Sequence, residues 1–195
     1  MSLATGPFSL DRVVNAVEKV RQRLLRAAEA LTAANIPYAV AGGNAVALWV
    51  SRVDESAVRN TQDVDILLRR ADPERAKNAM EHAGFVYRRV AGIDVFLDEP
   101  GGKARNAVHI IFAKEKVRAA EMLANPDVSD SEAGDRFRVL SLQALVQIKL
   151  TAFRDKDRVH LRDLIDVGLV DSAWPARFPP ELSARLQSLL DNPEG

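Results

Sequence analysis

Hydrophobic positions along the chain follow two periods. From residue 10 to 34, Val13, Val14, Val17, Val20, Leu24, Leu25, Ala28 and Leu31 recur at helical spacing, forming one stripe that Asn35-Ile36-Pro37 brings to an end. A further helix is predicted to start at Asp72-Pro73, with Asp as N-cap and Pro at the first helical position. It runs to about Ala83, with Gly84 as the residue after its end. Short apolar or alternating runs predict strands: "PYAVAGG", which ends in glycines, then "DVDILL", "FVYRRV", "IDVFLD" and "AVHIIFA". "NAVALWV" reads as a short helix directly after the glycines. Residues 51–60 and 125–136 are polar and predict loops, and "EPGGKARN" predicts a flexible hairpin-like connection. Beyond residue 140 the pattern is helical. Ser141 caps "LQALVQIKLTAF", the charged "RDKDRVH" leads into "LRDLIDVGLV", and Glu181 to Leu190 forms a last helix after "WPARFPP". The order α-β-α-β-α-β-β-β followed by helices predicts an α+β fold with a small mixed sheet flanked by helices. An α/β core with an N-terminal helix would span 1–139, and a helical extension, 140–195, would pack on it.

Composition narrows the classes of function. A chain of 195 residues suits one domain with such an extension. Its 27 Lys and Arg balance 27 Asp and Glu, and zero net charge argues against broad, nonspecific nucleic-acid binding while leaving room for a local basic patch. Cysteine is absent, which excludes disulfides, thiolate metal sites and a thiol nucleophile, and fits a reducing compartment. No apolar run approaches the ~20 residues of a bilayer span. The start, "MSLATGPFSLDR", has no basic segment followed by an apolar one, so a cytoplasmic protein without a membrane partner is expected.

Two short segments carry the candidate chemistry. Asp63 and Asp65 stand two apart on a strand, so both carboxylates project from one face, with Val64 and Ile66 on the other. Like charges this close repel unless a cation lies between them, and hard oxygen ligands suit Mg²⁺ or Mn²⁺. Gly42 and Gly43 stand between a strand and a helix. Lacking Cβ atoms, they let the backbone approach a ligand, and the free N–H groups of the helix start favour a phosphate. Asn44 adds a side-chain amide there. One element would hold a triphosphate tail and the other the metal that neutralises it.

This combination resembles the nucleotidyltransferase superfamily, in which a turn of the hGG kind (h, hydrophobic) precedes an hDhDh strand. Here these are Ala41-Gly42-Gly43 and Gln62-Asp63-Val64-Asp65-Ile66. "GGNAVALW" with "RNTQDVDILL" is most similar to the minimal bacterial branch, which includes lincosamide-type antibiotic nucleotidyltransferases and AbiEii-like toxins. Arg59-Asn60-Thr61-Gln62-Asp63-Val64-Asp65 resembles its Arg-x-Thr-x-Asp-h-Asp pattern, and "IKLTAFRDKDRVHLRDLIDV" its helical signature. The resemblance spans roughly residues 36–168. It implies transfer of a nucleoside monophosphate from an NTP to a hydroxyl of an acceptor, which could be a small molecule, a protein or a tRNA, with release of pyrophosphate. It also implies that Asp63 and Asp65 hold Mg²⁺ (or Mn²⁺), and that an antitoxin or tRNA partner is in question.

The family's third carboxylate has no plain counterpart. The expected strand, "AVHIIFA", carries His109 in that slot, and the strand before it carries Asp94. His109 would serve as a neutral ligand or general base, or Asp94 would supply the carboxylate. Alternatively, the site is impaired and the protein acts as a nucleotide- or partner-binding module, as in a toxin–antitoxin system. Among the tail's cations, Lys149 stands out in an otherwise apolar helix. Lys149 and Arg154, with Arg59 and Thr61 from the loop before the Asp pair, are the expected nucleotide contacts. The other charges read as a solvated face. Trp49 and Trp174 read as packing residues, with stacking on a base as the alternative.

Overall fold

The computed structural model describes residues 9–193. In chain order its elements are α1 (Leu10–Ala33), β1 (Tyr38–Ala41), α2 (Gly42–Ser51), β2 (Val64–Leu68), α3 (Pro73–His82), β3 (Val86–Val90), β4 (Ile93–Leu97), β5 (Val108–Phe112), β6 (Ser131–Ala133), β7 (Arg138–Leu140), α4 (Leu142–Ala152), α5 (Asp155–Asp166) and α6 (Pro180–Asp191). Short 3-10 turns lie at Glu55–Ala57, Ala104–Asn106 and Pro175–Arg177. The seven strands form one mixed sheet in the order β3-β4-β5-β2-β1-β7-β6. Strand β2 runs antiparallel to β1 and parallel to β5, and β1 runs parallel to β7. The β3–β4 hairpin turns through Ala91 and Gly92, both at positive φ, the geometry of a two-residue turn whose twist matches the strands.

Alternation on the central strands divides the core. Val64, Ile66 and Leu68 of β2, with Val40, Val108 and Ile110, meet Leu24, Ala28 and Leu31 of α1 and Met80 of α3. On the other face Ala39, Ala41 and Leu67 join Val46 and Trp49 of α2, Leu145 and Leu150 of α4, Leu161 and Leu164 of α5, and Leu182 and Leu186 of α6. The tail helices therefore share a hydrophobic cluster with α2, on the face of β2 that carries Asp65.

Several local signals act as expected. Pro73 opens α3, and Gly84 follows its end at φ +84. Ser141 caps α4 by accepting the N–H of Ala144. Trp49 is buried, its Nε1 donating to the Leu140 carbonyl at 2.9 Å, and Trp174 is buried beside Phe178, so both are packing residues. Other expectations need correction. Asp72 makes no capping bond, because its carboxylate takes Arg75 instead. Val13, Val14 and Val17 are exposed, so only the later part of the α1 stripe meets the core. The loop expected over 125–136 contains β6, which pairs with β7. Three-residue strands of mixed polarity are too short to show a period. The charged segment before "LRDLIDV" forms the first turns of α5.

Phe153, at φ +47, ends α4 in the left-handed region and turns the chain into α5. That corner brings Lys149 to Asp157, both buried, with Nζ 3.2 Å from Oδ1. Arg154 adds its Nε at 2.7 Å and its backbone N–H at 3.2 Å to Asp157 Oδ2. Burial opposes ionisation of Asp157, but Arg154 and Lys149 together hold its pKa below the usual value. Removing one member strands the other's charge in the interior, which costs about 3–5 kcal/mol. Asp157→Ala is expected to lower the urea unfolding free energy by that amount; a loss near zero contradicts the buried pair.

One turn along α5, burial pushes His160 down to about 4, helped by Lys149 and Lys156 and opposed by Asp157 and Asp163. Its Nδ1 is buried without a hydrogen-bond partner among the described residues. The neutral ring is the folded form, so the unfolded chain takes up a proton first as pH falls through about 6.5. Stability is then lost down to about 4, by roughly 3 kcal/mol in all. Urea titrations across that window should show this loss in the wild type and a flatter profile in His160→Gln.

Candidate active site

Lateral register assembles the site. Asp65 lies between Ala41 of β1 and His109 of β5. Residues paired across strands share a face, and Asp63, two positions earlier, shares it with Asp65. His109 Nδ1 lies 3.6 Å from Asp65 Oδ1 and 3.8 Å from Asp63 Oδ2. One ligand atom from each of the three residues lies within 4.8 Å of the others, the spacing of groups that could hold one metal ion. His109 Nε2 is 2.7 Å from the carbonyl of Ala104, so Nε2 carries the proton and the lone pair of the neutral ring, on Nδ1, faces the carboxylates. Two hard oxygens and an oriented imidazole fit a divalent cation.

The glycines make this packing feasible. Strand β1 stops at Ala41, so Gly42 and Gly43 are the first residues of α2 rather than the end of the strand. Gly42 has φ +63, and a Cβ there would lie 1.8 Å from Asp65 Oδ2. At Gly43 a Cβ would press on Thr61, 3.1 Å from its Cβ and Oγ1. Thr61 in turn donates its hydroxyl to Asp63 Oδ1 at 2.6 Å, and Asn44 donates its amide to the Asp63 carbonyl at 2.6 Å. Each glycine thus admits one part of the acidic strand. Among the described residues no side chain caps α2, whose N-cap is Ala41.

Electrostatics follow from these contacts. Burial works against ionisation of Asp63, but the Thr61 hydroxyl, Lys156 and His109 hold its pKa below the usual value. The Asp65 carboxylate raises the pKa of His109 against the effect of burial, with the Ala104 carbonyl and Asp63 adding to the rise.

The remaining expected residues divide. Arg59 binds Asp163 of α5 through Nε at 3.1 Å and Nη2 at 3.0 Å, with its side chain still 62% exposed. Arg154 stays half exposed beside Asp157, and Asp65 contributes to raising its pKa. The expectation that Lys149 reaches a phosphate is corrected: the side chain is buried and committed to Asp157, from which it supports the site. Asp94 is corrected as well. Val95 is the residue opposite His109, so Asp94 points to the other face, where the Tyr87 hydroxyl donates to it at 2.7 Å.

Two residues that bear on the site carry no motif of their own. Lys156 reads as part of a solvated face, yet its charge acts on Asp63. Arg23 of α1, buried, binds Asp98 and donates from Nη1 to the Gln62 carbonyl at 3.1 Å, fixing the backbone just before Asp63. A cation among the buried positions of an amphipathic helix is the signal that would have found Arg23. Lys156 has no such signal.

Gly42→Ala carries the sharpest expectation. The left-handed backbone alone costs about 1–2 kcal/mol, and the methyl displaces Asp65. The variant should lose the Mn²⁺-dependent rise in melting temperature expected of the wild type, whereas Gly43→Ala should weaken it. An unchanged metal response in Gly42→Ala would contradict the close approach.

No protein-family model and no curated protein matches the sequence. Solved structures do. An antigenic nucleotidyltransferase-like protein from Paracoccidioides brasiliensis superposes with a TM-score of 0.58 at 18% identity, covering 92% of this chain and 91% of that one. The antibiotic-resistance factor ANT(2″)-Ia superposes at 0.50 with 15% identity, over 93% and 92%. At such identities the likeness speaks for architecture alone: the chain has the nucleotidyltransferase fold.

Proposed function

We propose that the protein is a divalent-metal-dependent nucleotidyltransferase, moving a nucleoside monophosphate from an NTP to a hydroxyl of an acceptor. The observation that carries this reading is the grouping of Asp63, Asp65 and His109 within 4.8 Å, packed against Gly42 at the uncapped start of α2. On this fold, that is a metal group beside a phosphate cradle.

In the reaction, the acceptor hydroxyl oxygen bonds to the α-phosphorus. The bond from that phosphorus to the bridging oxygen of the β-phosphate breaks, pyrophosphate leaves, and the hydroxyl proton passes to a carboxylate of the site. A divalent ion held by Asp63, Asp65 and His109 Nδ1 would supply charge neutralisation on the phosphates. The chain does the positioning. Thr61 and Asn44 hold Asp63, the Ala104 carbonyl orients His109, and the α2 amides receive phosphate oxygens. Arg154 and Lys156, exposed at the start of α5, are the cations available to the triphosphate. Arg59, anchored on Asp163, keeps the loop before Asp63 against α5.

An imidazole in the ligand set favours Mn²⁺ over Mg²⁺, because Mg²⁺ prefers an all-oxygen shell. Thermal melts with a nonhydrolysable NTP should show a larger stabilisation with Mn²⁺ than with Mg²⁺. His109→Asp should shift that preference toward Mg²⁺. Asp63→Asn should lower metal-dependent turnover of labelled NTP by about 100-fold or more while the melting temperature without ligand stays close to wild type. Turnover that survives in Asp63→Asn removes the enzyme reading.

A further inference from the structure

On the face of the sheet away from the metal group, a cavity of about 40 Å³ lies between α3 and strands β3, β4 and β5. At roughly 10–15 Å³ for one water, it has room for about three atoms of that size. Tyr87, Phe96 and Phe112 supply aromatic walls, and the buried Ala76 and Ile110 add apolar surface. Strand register brings these groups together. Tyr87 pairs with Phe96 across the β3–β4 ladder, with ring centroids 5.6 Å apart, and Asp94 shares their face, two positions before Phe96.

Asp94 is the charged group on the inner wall. Its side chain is 12% exposed, and the Tyr87 hydroxyl donates to Oδ1 at 2.7 Å. The carboxylate in turn raises the pKa of Tyr87, so the hydroxyl keeps its proton and orients Asp94. Arg89 comes within 4.0 Å of the same oxygen from an exposed position, where an ion pair is weak. Oδ2 has no hydrogen-bond partner among the described residues and keeps accessible surface. A largely buried carboxylate oxygen of this kind lacks a donor. The surrounding rings favour a cationic one. Lys77 Nζ stands 4.9 Å over Tyr87, and Arg70, bonded to Glu115, stacks on Phe112 at 3.4 Å. The lining holds two carboxylates, Glu74 and Asp94, and one ammonium, that of Lys77. Aromatic faces beside a carboxylate attract ammonium groups and disfavour anions.

We propose that this cavity binds the protonated amine end of a small aliphatic ligand. The ammonium donates to Asp94 Oδ2, the adjoining methylenes lie against Phe96 and Ile110, and the rest of the ligand leaves past the exposed Glu74. Room for about three atoms admits a carbon–carbon–nitrogen end and excludes a guanidinium or a quaternary ammonium. None of the lining residues belongs to the metal group, so the site does not depend on the nucleotidyl-transfer reading.

The test titrates the intact, ¹⁵N-labelled chain with propylammonium chloride at neutral pH and constant chloride, with 1-propanol as the uncharged counterpart. Propylammonium should shift the amide resonances of Ala76, Lys77, Phe96 and Ile110 saturably, and 1-propanol should leave them in place. Asp94→Asn keeps the size of the side chain and can still accept from Tyr87, and it should weaken binding by about tenfold or more. Asp63→Asn should bind as the wild type does, because the acidic pair lies on the other face. Equal responses to the two probes, no saturable shift, shifts confined to residues around Asp63 and Asp65, or an Asp94→Asn variant that binds like the wild type would each overturn the proposal. Should Asp94→Asn melt early, the contrast between the two probes on the wild-type chain still decides.

Discussion

Two carboxylates two residues apart, Asp63 just before β2 and Asp65 within it, gathered with a histidine into less than 5 Å of space, set the terms for the rest of the molecule. Left alone, Asp63 and Asp65 would repel, and one would resist ionisation. The protein offsets that repulsion with fixed positive charge and hydrogen bonds. His109 faces both carboxylates, the Thr61 hydroxyl binds Asp63, Lys156 acts on Asp63 from α5, and Arg154 and Lys149 feel the charge of Asp65. One ligand atom from each of Asp63, Asp65 and His109 lies close enough to the others for the three to hold one metal ion.

Holding that group together requires strand register and close backbone approach at once. The antiparallel β1–β2 ladder sets Asp65 beside Ala41, and the next residue must be glycine because the Asp65 oxygen occupies the space of a Cβ. The parallel β2–β5 ladder sets His109 on the other side. A shift of one residue in either pairing would turn these side chains to opposite faces. The hydrophobic alternation of β2, with Ile66 and Leu68 in one layer and Leu67 in the other, therefore fixes the face of Asp65 as well as the core.

The C-terminal helices complete the site from the same face. The corner at Phe153 brings Lys149 to Asp157 and leaves Arg154 and Lys156 at the exposed start of α5. Asp163, one helix turn beyond His160, anchors Arg59 from the loop that precedes the acidic strand. In that corner the buried charges of Lys149 and Asp157 are each other's partners, which offsets the cost of burying them. On the opposite layer, Arg23 holds the Gln62 carbonyl from α1. The start of the acidic strand is thus gripped from both sides of the sheet.

What the sequence determined by itself was whatever depends on near neighbours along the chain. The period of two placed Asp63 and Asp65 on one face. The Gly42-Gly43 pair marked a backbone approach, Pro73 and Gly84 bounded α3, and Ser141 opened α4. These are statements about a residue and its next few neighbours, and local sterics and hydrogen bonding decide them. Tertiary structure alone decided which groups meet across the sheet. Asp94 and His109 looked equally able to join the acidic pair until the β4–β5 register put Val95 opposite His109 and turned Asp94 away. Lys149 looked like a ligand contact until the Phe153 corner buried it against Asp157. Lys156 reads as a surface charge and is exposed, but only the placement of α5 lets that charge act on Asp63. Spacing along a chain carries a side chain's face but not its lateral partner, because strand register and helix docking are set by the whole core packing at once.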